Sequence, residues 1–119
     1  MRQAEMSDEM SACIIECSGC HDVCLMTVTH RLQLGGRHAE PEHIRLLLDC
    51  AEICQTSANF MLRGSNLHVY TCAVGAEVCE RCAKDCERFP DDEQMQACAE
   101  QCRRCAESCR KMAGMAHAA

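Results

Sequence analysis

CIIECSGCHDVC, residues 13–24, and CAEQCRRCAESC, residues 98–109, set their cysteines at the same spacings of four, three and four. On an α-helix, offsets of four, seven and eleven residues return to one face. Cys13, Cys17, Cys20 and Cys24 therefore form one stripe, and Cys98, Cys102, Cys105 and Cys109 form another. Between them, Cys72, Cys79, Cys82 and Cys86 share a helical face with Gly75. Cys50 and Cys54 start a further row that runs on through Ser57 to Met61.

Breakers divide the chain around these rows. LGGRHAEP (34–41) joins a glycine pair to a proline, which suits a helix end followed by proline at the first position of the next helix. RGSN (63–66) offers Gly64 as a terminator and Ser65 or Asn66 as an N-cap. RFPDDEQ (88–94) closes a segment at Phe89 and Pro90, and Asp91 with Gln94 resembles a capping box. The predicted helices span 7–34, 41–63, 66–88 and 91–113, each about 35 Å long at the usual rise. Short connections between long helices make antiparallel neighbours. The expected fold is all-α, an up-down-up-down four-helix bundle with a Cys-lined core, occupying 1–119 as one domain.

Composition fits this picture and narrows the chemistry. Fourteen of 119 residues are cysteine, about one in eight. The 48% hydrophobic share includes them, and without them little remains to fill a core. There is no Trp, and Phe60, Tyr70 and Phe89 are the aromatic residues. The net charge of −6 and the lack of a basic block disfavour a nucleic-acid partner. Glu5, Asp8 and Glu9 stand where a secretory signal needs an apolar run, and the chain opens on Met1, so the expected compartment is the cytosol. No stretch is expected to reach membrane-spanning length, which leaves no membrane partner.

Fourteen inward thiols exceed what a small hydrophobe would be used for. A disulfide scaffold fits the even count, but cysteines three or four apart on one helix are poorly placed to pair with each other. Soft thiolates select Cu(I), zinc or iron–sulfur clusters. A closed zinc site with four thiolates keeps a net charge of about −2, and several stacked in a dry core would repel one another. Iron–sulfur proteins draw their ligands from runs such as C-x2-C-x2-C, which are absent here. Cu(I) takes about two or three sulfurs, lets thiolates bridge ions, and is neutral at one ion per thiolate. The rows thus read as a rack of sites for a monovalent soft metal. An iron–sulfur electron-transfer protein and a general thiolate buffer for zinc, silver or cadmium stay open as alternatives.

With the twin CxxxCxxCxxxC motifs and CERCAKDC (79–86), the chain resembles the bacterial copper storage proteins of the cytosolic kind, over essentially its whole length. The resemblance implies a homotetramer of four-helix bundles, each holding many Cu(I) ions on cysteines with a few His or Met ligands. It implies storage and detoxification rather than catalysis. Copper chaperones or small thiols are the expected delivery partners. One departure is the poor second row, where Ser57 stands in place of a further thiol. Ile15 and Met26, nearly opposite the first stripe, are outward apolar residues that suit an oligomer.

Four helix ends meet at one end of the bundle. Read outward along the rows, they carry Met10 and Met6, then Met61, then His68, then Met112 with Met115 and His117 beyond. Thioethers and imidazoles bind Cu(I) without losing a proton, so Met10, Met61, His68 and Met112 are candidate entry ligands. At the other end Leu34, Leu46, Leu47, Phe89 and Met95 should form a seal, with His43 a polar exception and a candidate ligand. His21 flanks the first stripe, while His30 and His38 are expected to be solvated.

Overall fold

The computed structural model describes residues 6–114, and these form four α-helices: α1 (Asp8–Leu34), α2 (Pro41–Leu62), α3 (His68–Glu87) and α4 (Glu93–Met112). Each helix packs on its neighbours in chain order, and α4 closes against α1. That is the up-down-up-down bundle. There is no strand among the described residues. Met115 and His117 lie outside them.

Local chemistry sets the helix ends. Ser7 caps α1 by accepting from the Met10 N–H at 3.0 Å, with Asp8 and Glu9 in the first turn facing the positive end of the helix dipole. Gly35, at a φ of 67°, takes the left-handed turn that ends α1. A short 3-10 turn, Gly36–Ala39, follows where a plain loop was expected, and Pro41 opens α2 as anticipated. Gly64 ends α2 at a φ of 70°.

Two caps differ from the sequence reading. Neither Ser65 nor Asn66 caps α3, whose first residue is His68. Ser65 instead accepts from the Leu67 N–H at 3.2 Å, and its carbonyl takes the His68 N–H, which spends two residues on a turn. At α4 the cap is Asp92 rather than Asp91, accepting from the Met95 N–H at 3.1 Å. Asp92 is drawn inward by a second duty, the pairing of Arg31 described below. Gln94 is not the back-bonding half of a capping box but donates to Thr27 Oγ1 at 3.0 Å.

The core inverts ordinary practice. All fourteen cysteines are exposed by no more than 1%, whereas Ile15 is 71% and Met26 61% exposed, outward as expected. Alanines such as Ala51, Ala58, Ala76, Ala83, Ala99 and Ala106 fill in between the helices. α1 corrects one expectation. By length and composition it could cross a membrane, its mean hydropathy reaching 1.2 over an 18-residue window. The reason is cysteine, which scores as apolar, and the four in α1 all face the bundle axis.

Candidate metal centre

The helical rows bring the thiols into a continuous column. From the end where α1 begins, Cys13, Cys72 and Cys109 form one set and Cys17, Cys105 and Cys109 the next. Three four-thiol sets follow: Cys20–Cys50–Cys54–Cys79, Cys20–Cys24–Cys50–Cys102 and Cys24–Cys82–Cys98–Cys102. Within each set the sulfurs lie within 4.8 Å of one another, close enough for one soft ion to reach all of them. Adjoining sets share members. Cys20 and Cys50 belong to two sets, as do Cys24 and Cys102, and Cys109 links the two outer ones. Contacts between helices are as short as 3.4 Å for Cys54–Cys79 and 3.7 Å for Cys54–Cys105, which joins the outer and inner stretches. Only Cys86 stands outside these sets, at the far end, and all fourteen cysteines are free thiols.

Crowding of this kind couples the protons. Hydrogen bonds from Cys102 and Cys24 hold Cys98 down to about 5 and Cys82 to about 3. Their neighbour Cys86 moves the other way, pushed up by Cys82, by Cys98 and by burial. At the outer end Cys109 pulls Cys72 down, but Cys13 and burial outweigh it and leave Cys72 at about 12.

The other predicted ligands divide by end. Met61 is fully buried, and the Cys72 thiol points at its sulfur across 4.0 Å. Met10 and Met112 are half-buried against the core. His68 is half-buried and its Nδ1 lies 2.8 Å from the Ser65 carbonyl. A carbonyl only accepts, so Nδ1 carries the proton and Nε2 keeps its lone pair. His21 turns to Asp22 at 2.8 Å and joins no thiol set.

The far end is more polar than expected. Leu47 and Met95 are fully buried as a seal requires, but Leu34 is 51% exposed and plugs nothing. His43 is buried, lies on Phe89 with ring centroids 5.6 Å apart, and donates from Nδ1 to Asp85. Burial pushes the Asp85 carboxyl up, but the bonds from His43 and Arg88 outweigh it and hold the group low. His43 Nε2 is buried with no partner. His30 and His38 are not freely solvated. His30 Nε2 bonds Asp92 at 2.9 Å, and His38 Nδ1 is buried without a partner while its backbone carbonyl accepts from Arg31 Nε at 3.0 Å. Arg31 itself is 1% exposed, pairs with Asp92 at 3.0 Å and lies 4.1 Å above the Phe89 ring. A cleft of about 780 Å³ beside it is lined by His30, Arg31, His38, Phe89 and Asp92 and lies off the thiol column.

Sequence reasoning missed two parts of this end. Asp85, the group that orients His43, stands on another helix and leaves no local signal. Arg31 does leave one, since steps of three and four carry the first stripe from Cys24 to Thr27 and Arg31, both buried.

Comparison with known proteins agrees with this architecture. Residues 2–114 match the model of the copper storage protein family. The chain belongs to that family. A solved protein of Nitrosospira multiformis is 48% identical, with a TM-score of 0.84 over 89% of this chain and 95% of that one. A Cu(I)-bound copper storage protein of Bacillus subtilis is 36% identical, with a TM-score of 0.83 over 89% and 99%. A cytosolic copper storage protein of Streptomyces lividans, studied during copper loading, is 27% identical, with a TM-score of 0.79 over 92% and 96%. The resemblance read from the twin motifs is thus one of family.

Proposed function

We propose that this chain stores copper in the cytosol, binding many Cu(I) ions on its fourteen thiols as one bridged cluster along the bundle axis. The observation that carries the reading is the sharing of thiols between adjoining sets. Separate zinc or iron–sulfur sites each need about four ligands of their own. A bridged Cu(I) cluster needs shared ones, and its neutrality at one ion per thiolate suits a buried core. Membership of the copper storage protein family supports storage rather than catalysis. The compartment is supported by the Streptomyces lividans relative, a cytosolic protein. Exposed Ile15, Leu25, Met26, Leu48 and Val74 give the outer faces apolar surface for a homotetramer. Copper chaperones or small thiols would deliver the metal.

Loading the reduced protein anaerobically in weak buffer tests this. Each Cu(I) that binds a protonated thiol displaces its proton, so loading should release up to about one proton per ion, and acid should weaken binding by competing for the same sulfurs. The loaded protein should be colourless, with copper–thiolate absorption confined to the ultraviolet. A brown product would indicate iron–sulfur chemistry, and uptake without proton release would exclude thiol ligands.

Entry is assigned to the end bearing Met10, Met61, His68 and Met112, where neutral ligands pass ions to the Cys13–Cys72–Cys109 set. Met61 already touches Cys72, and His68 offers a free Nε2. Replacing all four by Leu should slow copper uptake and release about tenfold while leaving capacity nearly intact. Unchanged kinetics would return these side chains to packing. At the other end His43 is a candidate terminal ligand, its ring held by Asp85 as carboxylates commonly hold metal-binding histidines, with Nε2 unpartnered.

A further inference from the structure

Gly75 is buried in the interior of α3, on the face that carries Cys72 and Cys79. Alanine is the better helix former, so an interior glycine calls for a reason. Conformation does not supply it, since Gly75 is not among the positive-φ glycines. Crowding does not either. A Cβ there would lie 3.5 Å from Cys109 Sγ and 3.9 Å from Ser57 Oγ, ordinary contact distances, with nothing else pressing on it within 4 Å. The protein's own packing would accept a methyl group at this point.

The sulfur beside that space is the one that joins the two outer sets. Cys109 Sγ lies 3.9 Å from Cys13, 3.6 Å from Cys17 and 4.0 Å from Cys105. It belongs both to the outer set with Cys13 and Cys72 and to the next set inward with Cys17 and Cys105. Across the bundle α2 contributes the small hydroxyl of Ser57, pointing at Cys72 Sγ across 3.8 Å, rather than a thiol. The sulfur that links the two outer sets therefore lies beside two small residues, Gly75 and Ser57.

We infer that Gly75 leaves Cys109 room to change partners, so that Cys109 is the transfer ligand that carries copper from the outer set to the inner one. The inference rests on the storage reading above. In the step, a Cu(I) ion held by Cys109 and Cys13 breaks its bond to Cys13 Sγ and forms one to Cys17 Sγ, keeping Cys109 throughout. The proton of the Cys17 thiol passes to the thiolate released on Cys13. Copper stays monovalent and no electron is exchanged. A methyl group at position 75 would rest against Cys109 Sγ at ordinary contact distance, and by filling the space beside it would hinder the swing. Gly75 acts as a positioning residue, through Cys109.

The test compares Gly75→Ala with wild type and with Gly19→Ala, a matched control whose Cβ would meet the Gln101 side chain at 3.4 Å, off the column. Each reduced protein is mixed anaerobically with Cu(I) and followed by its copper–thiolate absorbance, and thermal unfolding is measured without metal. Gly75→Ala should melt at or above the wild-type temperature and take up its first ions at the wild-type rate. It should fill the remainder about tenfold more slowly, to a capacity within about two ions of wild type. Wild type and Gly19→Ala should fill alike. A Gly75→Ala time course that overlays wild type overturns the inference, and so does slowing that comes with a lower melting temperature. A second pair guards the conclusion: in Cys13→Ser the Cys72 thiol can still hold an outer ion together with Cys109, so Cys109→Ser should slow inner filling several-fold more than Cys13→Ser does. Equal slowing overturns the transfer role. Failure of the wild type to bind more than a few ions would instead overturn the storage reading, and this inference with it.

Discussion

Stripped of metal and kept reduced, the protein should give the strong far-ultraviolet circular dichroism of a helical bundle and unfold cooperatively on heating. The interior is thiol and alanine rather than leucine and isoleucine, but protonated thiols are weakly polar and pack as small hydrophobes. The helices also carry their own signals: Ser7 and Asp92 as caps, acids in the first turns of α1 and α4, and Arg110 and Lys111 in the last turn of α4. At 20 to 27 residues, three of them held between tight glycine or proline turns, they need no ion as a template. This separates the protein from zinc fingers, in which metal binding is folding. A coil spectrum that becomes helical only with copper would contradict it.

The second large effect concerns Asp92. It is the counter-charge of Arg31, whose side chain is 1% exposed, and at the same time it caps α4 and binds His30. Asp92→Ala leaves a buried guanidinium uncompensated, which typically costs about 3–5 kcal/mol, and removes a cap worth about 1 kcal/mol. The double variant Arg31→Met with Asp92→Ser should lose far less, because the buried charge goes together with its partner and serine still caps. Denaturant unfolding of the metal-free proteins measures both. Stability of Asp92→Ala within about 0.5 kcal/mol of wild type would refute the pairing. The same group predicts an acid limit. Burial pushes the Asp92 carboxyl up, but bonds from His30, the Met95 N–H and Arg31 outweigh it and hold its pKa below the ordinary value. A carboxyl depressed in the fold contributes its full stability above the unfolded pKa, about 3.9, and loses it as pH falls through the lower folded value. The far end should therefore loosen first below about pH 4, and Asp92→Asn should reduce that dependence, leaving the part that Asp85 carries.

The bundle and its column were legible because both are periodic. Gly35, Gly64 and Pro41 mark helix ends by conformational rules that act within a few residues. The spacing of four, three and four places each thiol on a face without reference to the other helices. What failed was longer in range or finer in register. Asp91 and Asp92 are both caps by residue type, and Arg31 and His30, reaching across from α1, decide between them. His30 and His43 were judged from their own helices and His38 from its loop, yet Asp92, Arg31 and Asp85 set their surroundings. Arg31 was within reach, since it continues the first stripe, but a charged residue there reads as the end of a row rather than part of it. Gly75 was visible on its face, and its meaning came only with the position of the Cys109 sulfur.

The central claim is that the thiols act as one shared cluster rather than as separate four-ligand sites. Anaerobic titration of the reduced protein with Cu(I), followed by elemental analysis after removal of unbound metal, tests it most directly. Bridging predicts saturation near one ion per cysteine, about fourteen per chain, with a few more on Met and His. Saturation at about three or four ions per chain, the number of independent four-thiol sites that the cysteines could supply, would contradict it.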